Sequence, residues 1–120
     1  MDAKQLRIGN TVEYNLIGEN VDKWIVTDVD EDDICDTSYL RPIPLTEEWL
    51  VKFGWGKSDE HELCDNSNEI VFVYDWHFKR LEIQIDTEHV GVEYKLDHIK
   101  HVHQLQNLYF ALTDEELTTK

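Results

Sequence analysis

The chain opens on alternation. Leu6 and Ile8 flank Arg7, and Gly9-Asn10 marks a turn. Val12 and Tyr14 alternate again before Ile17-Gly18-Glu19-Asn20, a loop in which glycine frees the backbone for a reversal. The stretch 21–29 carries Trp24, Ile25, Val26 and Val29, the residue types that favour a pleated, half-buried surface. This pattern predicts two or three antiparallel strands curled into a small SH3-like β unit over residues 1–41.

The next segment changes period. Pro42-Ile43-Pro44 reads as extended, because proline disfavours helix in the residue before it. Thr46 is placed to cap a helix, and Glu47 and Glu48 sit where the helix dipole favours negative charge. Leu45 and Leu50 have the spacing of a hydrophobic staple. Lys52 closes the last turn and Gly54 suits the left-handed position beyond it. A short helix over 47–53 follows, with Trp49, Leu50 and Phe53 facing a core.

Residues 56–69 are polar and are predicted as a loop. Three strands are predicted after it. Ile70 to Tyr74 is nearly continuous apolar sequence. Leu81, Ile83 and Ile85 alternate with Glu82, Gln84 and Asp86, and Val90, Val92 and Tyr94 alternate with polar or small neighbours. The segments 75–80 and 86–89 are short enough for hairpins. From about His98 to Thr113, Val102, Leu105, Leu108, Tyr109 and Leu112 form one helical stripe, with Gln104, Gln106 and Asn107 as polar positions around it. Thr113 and Glu116 have capping-box spacing and predict one further turn. The fold class is therefore α+β: an N-terminal β unit, a short helix, and an antiparallel meander packed by a C-terminal helix. Residues 1–120 are read as a single domain, divided into 1–41 and 42–120.

Composition sharpens this outline. The 120 residues hold 26 acidic and 11 basic side chains, a formal net charge of −15. Four Trp, five Tyr and four Phe recur along the chain, which argues for a packed domain rather than charge-driven disorder. The charge argues against direct binding to DNA or to an anionic membrane, since phosphate binding is driven by Lys and Arg. No apolar run reaches membrane-spanning length, and MDAKQLRIGN lacks the apolar core of a signal peptide. Cys35 and Cys64 are too few for a disulfide scaffold and are expected as free thiols in a reducing compartment.

Several clusters carry residue types with possible chemistry. Asp28, Asp30 and Asp32 match the first ligand positions of an EF-hand loop, but Asp33 stands where glycine is needed and Tyr39 where a bidentate Glu is needed. That loop reads as a solvated acidic segment. On a helix, His98 and His101 share a face while His103 points elsewhere, and no Cys or Glu partner completes a zinc motif. His103 is assigned to packing or to the helix start. Cys64 with His61 or His77 could be drawn as a nucleophile pair, but its acidic surroundings disfavour a thiolate. Phosphate loops, nucleophile elbows and dinucleotide fingerprints are absent from the sequence. The expectation is a non-enzymatic protein without a cofactor or bound metal.

Three segments carry a family resemblance: KQLRIGNTVEYN at 4–15, PIPLTEEWLVKFGW at 42–55 and HVHQLQNLYFALTDEEL at 101–117. Together they resemble a group of small uncharacterised proteins encoded by bacteriophages and prophages. The chain departs from that pattern at Asp114, where the group usually has glycine. The resemblance implies a phage setting, in the cytoplasm of an infected or lysogenic bacterial host, and carries no activity with it. With the charge, it leads to the expectation of a binding protein whose partner is a basic protein surface, such as the nucleic-acid groove of an RNA-guided or other antiviral host nuclease. The alternative is a small structural or regulatory phage protein with no defence target. The candidate contact residues are Asp28, Asp30, Glu31, Asp32, Asp33 and Asp36 in the first acidic loop, and Asp59, Glu60, Glu62 and Asp65 in the second. Trp76 and Phe78 join them as aromatics in a hairpin connection, since such side chains dominate interface hot spots. For Trp76 the competing reading is that it folds back onto the sheet.

Overall fold

A computed structural model describes residues 6–15, 24–31, 40–65, 70–86 and 91–119. They form an α+β structure with two antiparallel sheets and two helices. Contacts divide the chain into two units, one drawn from Met1–Pro44 and His101–Leu108, the other from Leu45–Lys100 and Tyr109–Lys120.

In the first unit, β1 (Thr11–Asn15) lies between β2 (Trp24–Asp28) and β3 (Leu40–Arg41). Val12 stands opposite Thr27, Tyr14 opposite Ile25, and Glu13 opposite Arg41. The Glu13 carboxylate meets the Arg41 guanidinium at 3.0 Å, and Arg41 lies over the Trp24 ring at 4.0 Å. Leu6, Val12, Val29 and Leu40 form the core, with Tyr14 packed against it. The Leu6–Ile8 alternation is real in burial, for Leu6 is buried and Ile8 exposed. It is a turn and not a strand, however. Gly9 has φ +94°, its amide donates to the Val29 carbonyl at 2.8 Å, and the Val29 amide donates back to Asn10 at 2.7 Å. The predicted loop 17–20 and the acidic residues 32–36 lie outside the described residues.

This unit is completed by the start of α2 (Val102–Thr113), which supplies Val102, His103, Leu105 and Gln106 as buried residues. Gln106 is 2% exposed, although the stripe places it among polar positions. Its Oε1 accepts from the Thr11 amide at 2.7 Å, and its Nε2 donates to the Thr11 hydroxyl at 3.1 Å. Asn10 Nδ2 donates to Asn107 Oδ1 at 2.9 Å, and Arg7 Nε reaches the same oxygen at 3.0 Å. A buried glutamine is tolerable only because both ends of its amide are satisfied.

The second unit contains α1 (Glu47–Lys52), formed as its capping residues predict. Thr46 Oγ1 accepts from the Trp49 amide at 3.4 Å, and Leu45 and Leu50 are both buried. Gly54 has φ +88°, and the Trp55 amide donates to the Leu50 carbonyl at 3.1 Å, closing the helix and turning Trp55 into the core. The sheet is a simple meander of β4 (Gly56–Asp59), β5 (Glu62–Asp65), β6 (Ile70–Asp75), β7 (Arg80–Asp86) and β8 (Gly91–Leu96). Its register puts Leu63, Tyr74 and Leu81 in one row and Phe72 beside Ile83, so the large apolar side chains share one face. Tyr109, from the end of α2, packs its ring 5.0 Å from Phe72, and Trp55 lies 6.2 Å from Phe72 on centroids.

Three expectations are corrected. Residues 56–65 are a hairpin and not loop: Gly56 pairs with Cys64 and Lys57 with Leu63, with a register shift before Asp59. Every β4 side chain is exposed, so this edge strand leaves no hydrophobic alternation to read. The C-terminal helix begins at Val102 and not near His98. The residues before it are held extended, since the Leu45 amide donates to the Lys100 carbonyl, the Val102 amide donates to the Ile43 carbonyl, and Pro44 bridges His101. At the other end no further helical turn follows Thr113. Its hydroxyl donates to the Tyr109 carbonyl at 2.7 Å and accepts from the Glu115 amide, Asp114 adopts φ +60°, and Leu117 is buried beyond it.

Gln106→Leu keeps the side-chain bulk but strands the buried Thr11 amide, while the Thr11 hydroxyl keeps its bond to Asp28. Leaving one such group unpaired costs about 1–3 kcal/mol. The expected loss of stability is about 1–3 kcal/mol, read from urea unfolding midpoints at constant m-value. A loss under about 0.5 kcal/mol, the range of an ordinary surface change, would show that the network is not what holds the unit.

Candidate functional site

Pairing of β5 with β6 brings two turns side by side at one end of the five-stranded sheet. Glu62 stands opposite Asp75 in that register. The β4–β5 turn carries Asp59, Glu60 and His61, and the β6–β7 turn carries Trp76, His77, Phe78 and Lys79. The Trp76 amide donates to the His61 carbonyl at 2.8 Å, fastening one turn to the other.

The second turn is locked from within. Asp75 Oδ1 accepts from the amides of His77 at 2.8 Å and Phe78 at 3.2 Å, an Asx arrangement that fixes the reversal. Lys79 takes the left-handed conformation, φ +53°, which lets the chain re-enter β7. The result is a fixed turn that presents Phe78, a residue 58% exposed. The Arg80 guanidinium lies 4.6 Å from the Phe78 ring centroid, and the His77 ring meets Phe78 edge-on at 4.8 Å. Arg80 is held in turn by Glu82, Nε to Oε1 at 3.3 Å. Burial, then the neighbouring Glu93 carboxyl, raise the Glu82 carboxyl above the usual carboxylate range, and Arg80 opposes them. Trp76 is half-buried, its ring 4.4 Å from Tyr74, so it folds back toward the sheet while Phe78 points out. Burial raises the Tyr74 phenol above its ordinary range.

The candidate contact residues divide between the two units. Asp59, Glu60, Glu62, Trp76 and Phe78 are gathered at this sheet end. Asp59 and Glu60 are exposed, and Glu62 is half-buried with Ser58 donating to it. Asp65 is half-buried at the other end of β5, opposite Phe72. Asp28, Asp30 and Glu31 are exposed residues of the first unit, and Asp28 accepts from the Thr11 hydroxyl at 3.2 Å. Asp32, Asp33 and Asp36, like Cys35, lie outside the described residues. His61 and His77, weighed from sequence only as partners of Cys64, join this surface with Asp75 and Arg80, and the sequence hides that proximity because the hairpin 56–65 that puts His61 beside the second turn has no hydrophobic signature.

The histidine cluster at the start of α2 does not converge on a metal. His98 is exposed and precedes the helix, so the helical spacing that joins it to His101 does not apply. Gln104 Oε1 accepts from the His101 amide at 3.0 Å and lies 3.2 Å from its Nδ1, so these residues cap the helix. His103 is 2% exposed, and neither ring nitrogen has a hydrogen-bond partner. Among the described residues, no group of three or more His, Cys, Asp or Glu side chains is assembled for a metal. Cys64 is a free, half-buried thiol in mid-strand, opposite Val73.

No protein-family model, curated protein or solved structure matches this chain. Its functional reading therefore rests on the residues themselves.

Burial, and then the His101 ring stacked 5.9 Å away, lower the His103 pKa to about 4. In the unfolded chain a histidine titrates near 6.5. Between those values the unfolded chain binds a proton that the folded chain refuses. The contribution of His103 is therefore complete above about pH 6.5 and is lost as pH falls toward 4. Over that window the loss is on the order of 3 kcal/mol. His103→Leu should flatten this part of the stability–pH profile, measured by urea unfolding at steps from pH 7 to 4.5. An unchanged slope would assign the acid sensitivity to other groups. In the second turn, Asp75→Ala removes the oxygen that accepts from two amides and should cost about 1–2 kcal/mol, measured by thermal and urea melts. A neutral result would mean the turn holds its shape without that carboxylate.

Proposed function

We propose that this chain is a non-enzymatic, phage-encoded binding protein that covers a basic protein surface. An inhibitor of a host antiviral nuclease, of the RNA-guided kind or another, would use such a protein to occupy the groove that holds nucleic acid. The observation that carries this reading is the sheet end at residues 59–62 and 75–80. There one exposed phenylalanine stands on a turn locked by Asp75, and the neighbouring turn carries Asp59, Glu60 and Glu62.

Each part has a distinct physical task. The net charge of −15 raises the encounter rate with a basic partner and repels nucleic acid, an effect that salt weakens. Phe78 supplies an aromatic anchor, and its fixed turn reduces the entropy lost on docking. Arg80, seated between Phe78 and Glu82, limits the freedom of the ring before any partner arrives. The phage setting comes from the three segments at 4–15, 42–55 and 101–117.

Capture from bacterial host lysate at low and moderate salt, followed by mass spectrometry, tests the reading. The expected result is a nucleic-acid-handling protein whose binding is competed by nucleic acid. Phe78→Ala should weaken its affinity at least tenfold with no loss of folding. Glu60→Lys should slow association and reduce its salt dependence. Capture of no nucleic-acid-handling protein at either salt would overturn the proposal, as would a shift of a DNA probe by the pure chain.

A further inference from the structure

His61 and His77 come from different turns and meet at the sheet end. Their ring centroids are 5.7 Å apart, with an interplanar angle of 34°. Both side chains are exposed. Their backbones are fixed, because the His61 carbonyl accepts from Trp76 and the His77 amide donates to Asp75. The strand register therefore holds the two histidine backbones side by side, within reach of a shared ligand.

That spacing has a chemical meaning. A borderline divalent metal binds imidazole nitrogen at about 2.0–2.1 Å, and the ring centroid lies roughly 1.1 Å beyond that nitrogen. Two imidazoles on one ion at a tetrahedral angle then have centroids about 5.2 Å apart, and a wider angle near 125° gives about 5.7 Å. We infer that His61 and His77 form a two-imidazole site for a divalent transition-metal ion of the Cu²⁺, Ni²⁺ or Zn²⁺ type. Imidazole donors select these ions over Ca²⁺ and Mg²⁺, which require oxygen cages. No third His, Cys, Asp or Glu side chain is assembled with the pair among the described residues, so the remaining coordination positions belong to water. Such positions are open to a donor from another molecule, unlike those of a closed structural site. The exposed carboxylates of Asp59 and Glu60 in the same turn raise the local concentration of cations without being ligands. The inference stands on the ring geometry and is independent of the partner reading.

Titration of the untagged chain with nickel chloride at pH 7.5, followed by isothermal calorimetry, tests it. One ion per chain is expected, bound less tightly than copper and unaffected by millimolar calcium. His61→Ala and His77→Ala should each weaken binding at least tenfold, with thermal melts unchanged because both residues are exposed. His98→Ala should leave it intact. Paramagnetic broadening of amide signals should centre on residues 59–62 and 75–80. Full affinity in either His61→Ala or His77→Ala would overturn the site. So would loss of binding in His98→Ala, or displacement of nickel by calcium, since that would place the ion on the carboxylates.

Discussion

The amide of Gln106 is the contact on which the N-terminal unit depends. It pairs with the backbone and hydroxyl of Thr11, a residue 95 positions earlier in the chain. Beside it, Asn107 gathers Asn10 and Arg7 onto one oxygen. Among the described residues the sheet of this unit has three strands, one of them two residues long, and the core cluster on those strands is four aliphatic side chains with Tyr14 alongside. A sheet of that size is marginal without a packing partner. The partner is the first part of α2, so the unit is discontinuous in sequence and cannot close until the chain is nearly complete. Contacts of such separation carry a large loop-closure cost and predispose to slow folding.

The same constraint explains what the sequence reveals of the fold. Local rules succeed where local atoms decide. Thr46, Leu45, Leu50 and Gly54 set the bounds of α1 by capping and staple alone, and the burial of Leu81 and Ile83 follows from period-two alternation. Those rules fail where a distant segment decides. Residues 99–101 have helical spacing, yet the Lys100 carbonyl is taken by Leu45 and that of Ile43 by Val102, so the helix starts later. Gln106 is polar and reads as solvent-facing, but a buried acceptor and donor on Thr11 reverse its preference. The hairpin 56–65 is hidden for another reason: an edge strand with every side chain in water has no burial pattern to display.

The three segments at 4–15, 42–55 and 101–117 have a structural role in the fold. Arg7, Asn10 and Thr11 of the first meet Gln106 and Asn107 of the third, while Ile43 and Leu45 of the second bond to Val102 and Lys100. Architecture accounts for these residues. The exposed aromatic, the paired imidazoles and the acidic turn all lie outside them, on the hairpins of the meander. Of that surface, the individual residues Asp59, Glu60, Glu62, Trp76 and Phe78 were legible from their types. Their proximity was not, because it arises from the pairing of Glu62 with Asp75 across a segment that reads as loop.

Net charge and local surface act on different scales. Charge separated by more than about 8 Å is largely screened at physiological salt, so −15 spread along the chain would guide the approach of a basic partner rather than its docking. The sheet end is itself mixed, with Lys79 and Arg80 at one turn and Asp59, Glu60 and Glu62 at the other. A partner that read charge alone would have no reason to prefer it. What distinguishes this end is immobilised shape: Asp75 fixes the turn, Arg80 and His77 bracket Phe78, and Glu82 holds Arg80. Each link removes freedom that docking would otherwise have to remove. Association would then be set by the acidic field and residence by the aromatic turn, two properties that salt and a single side-chain truncation separate.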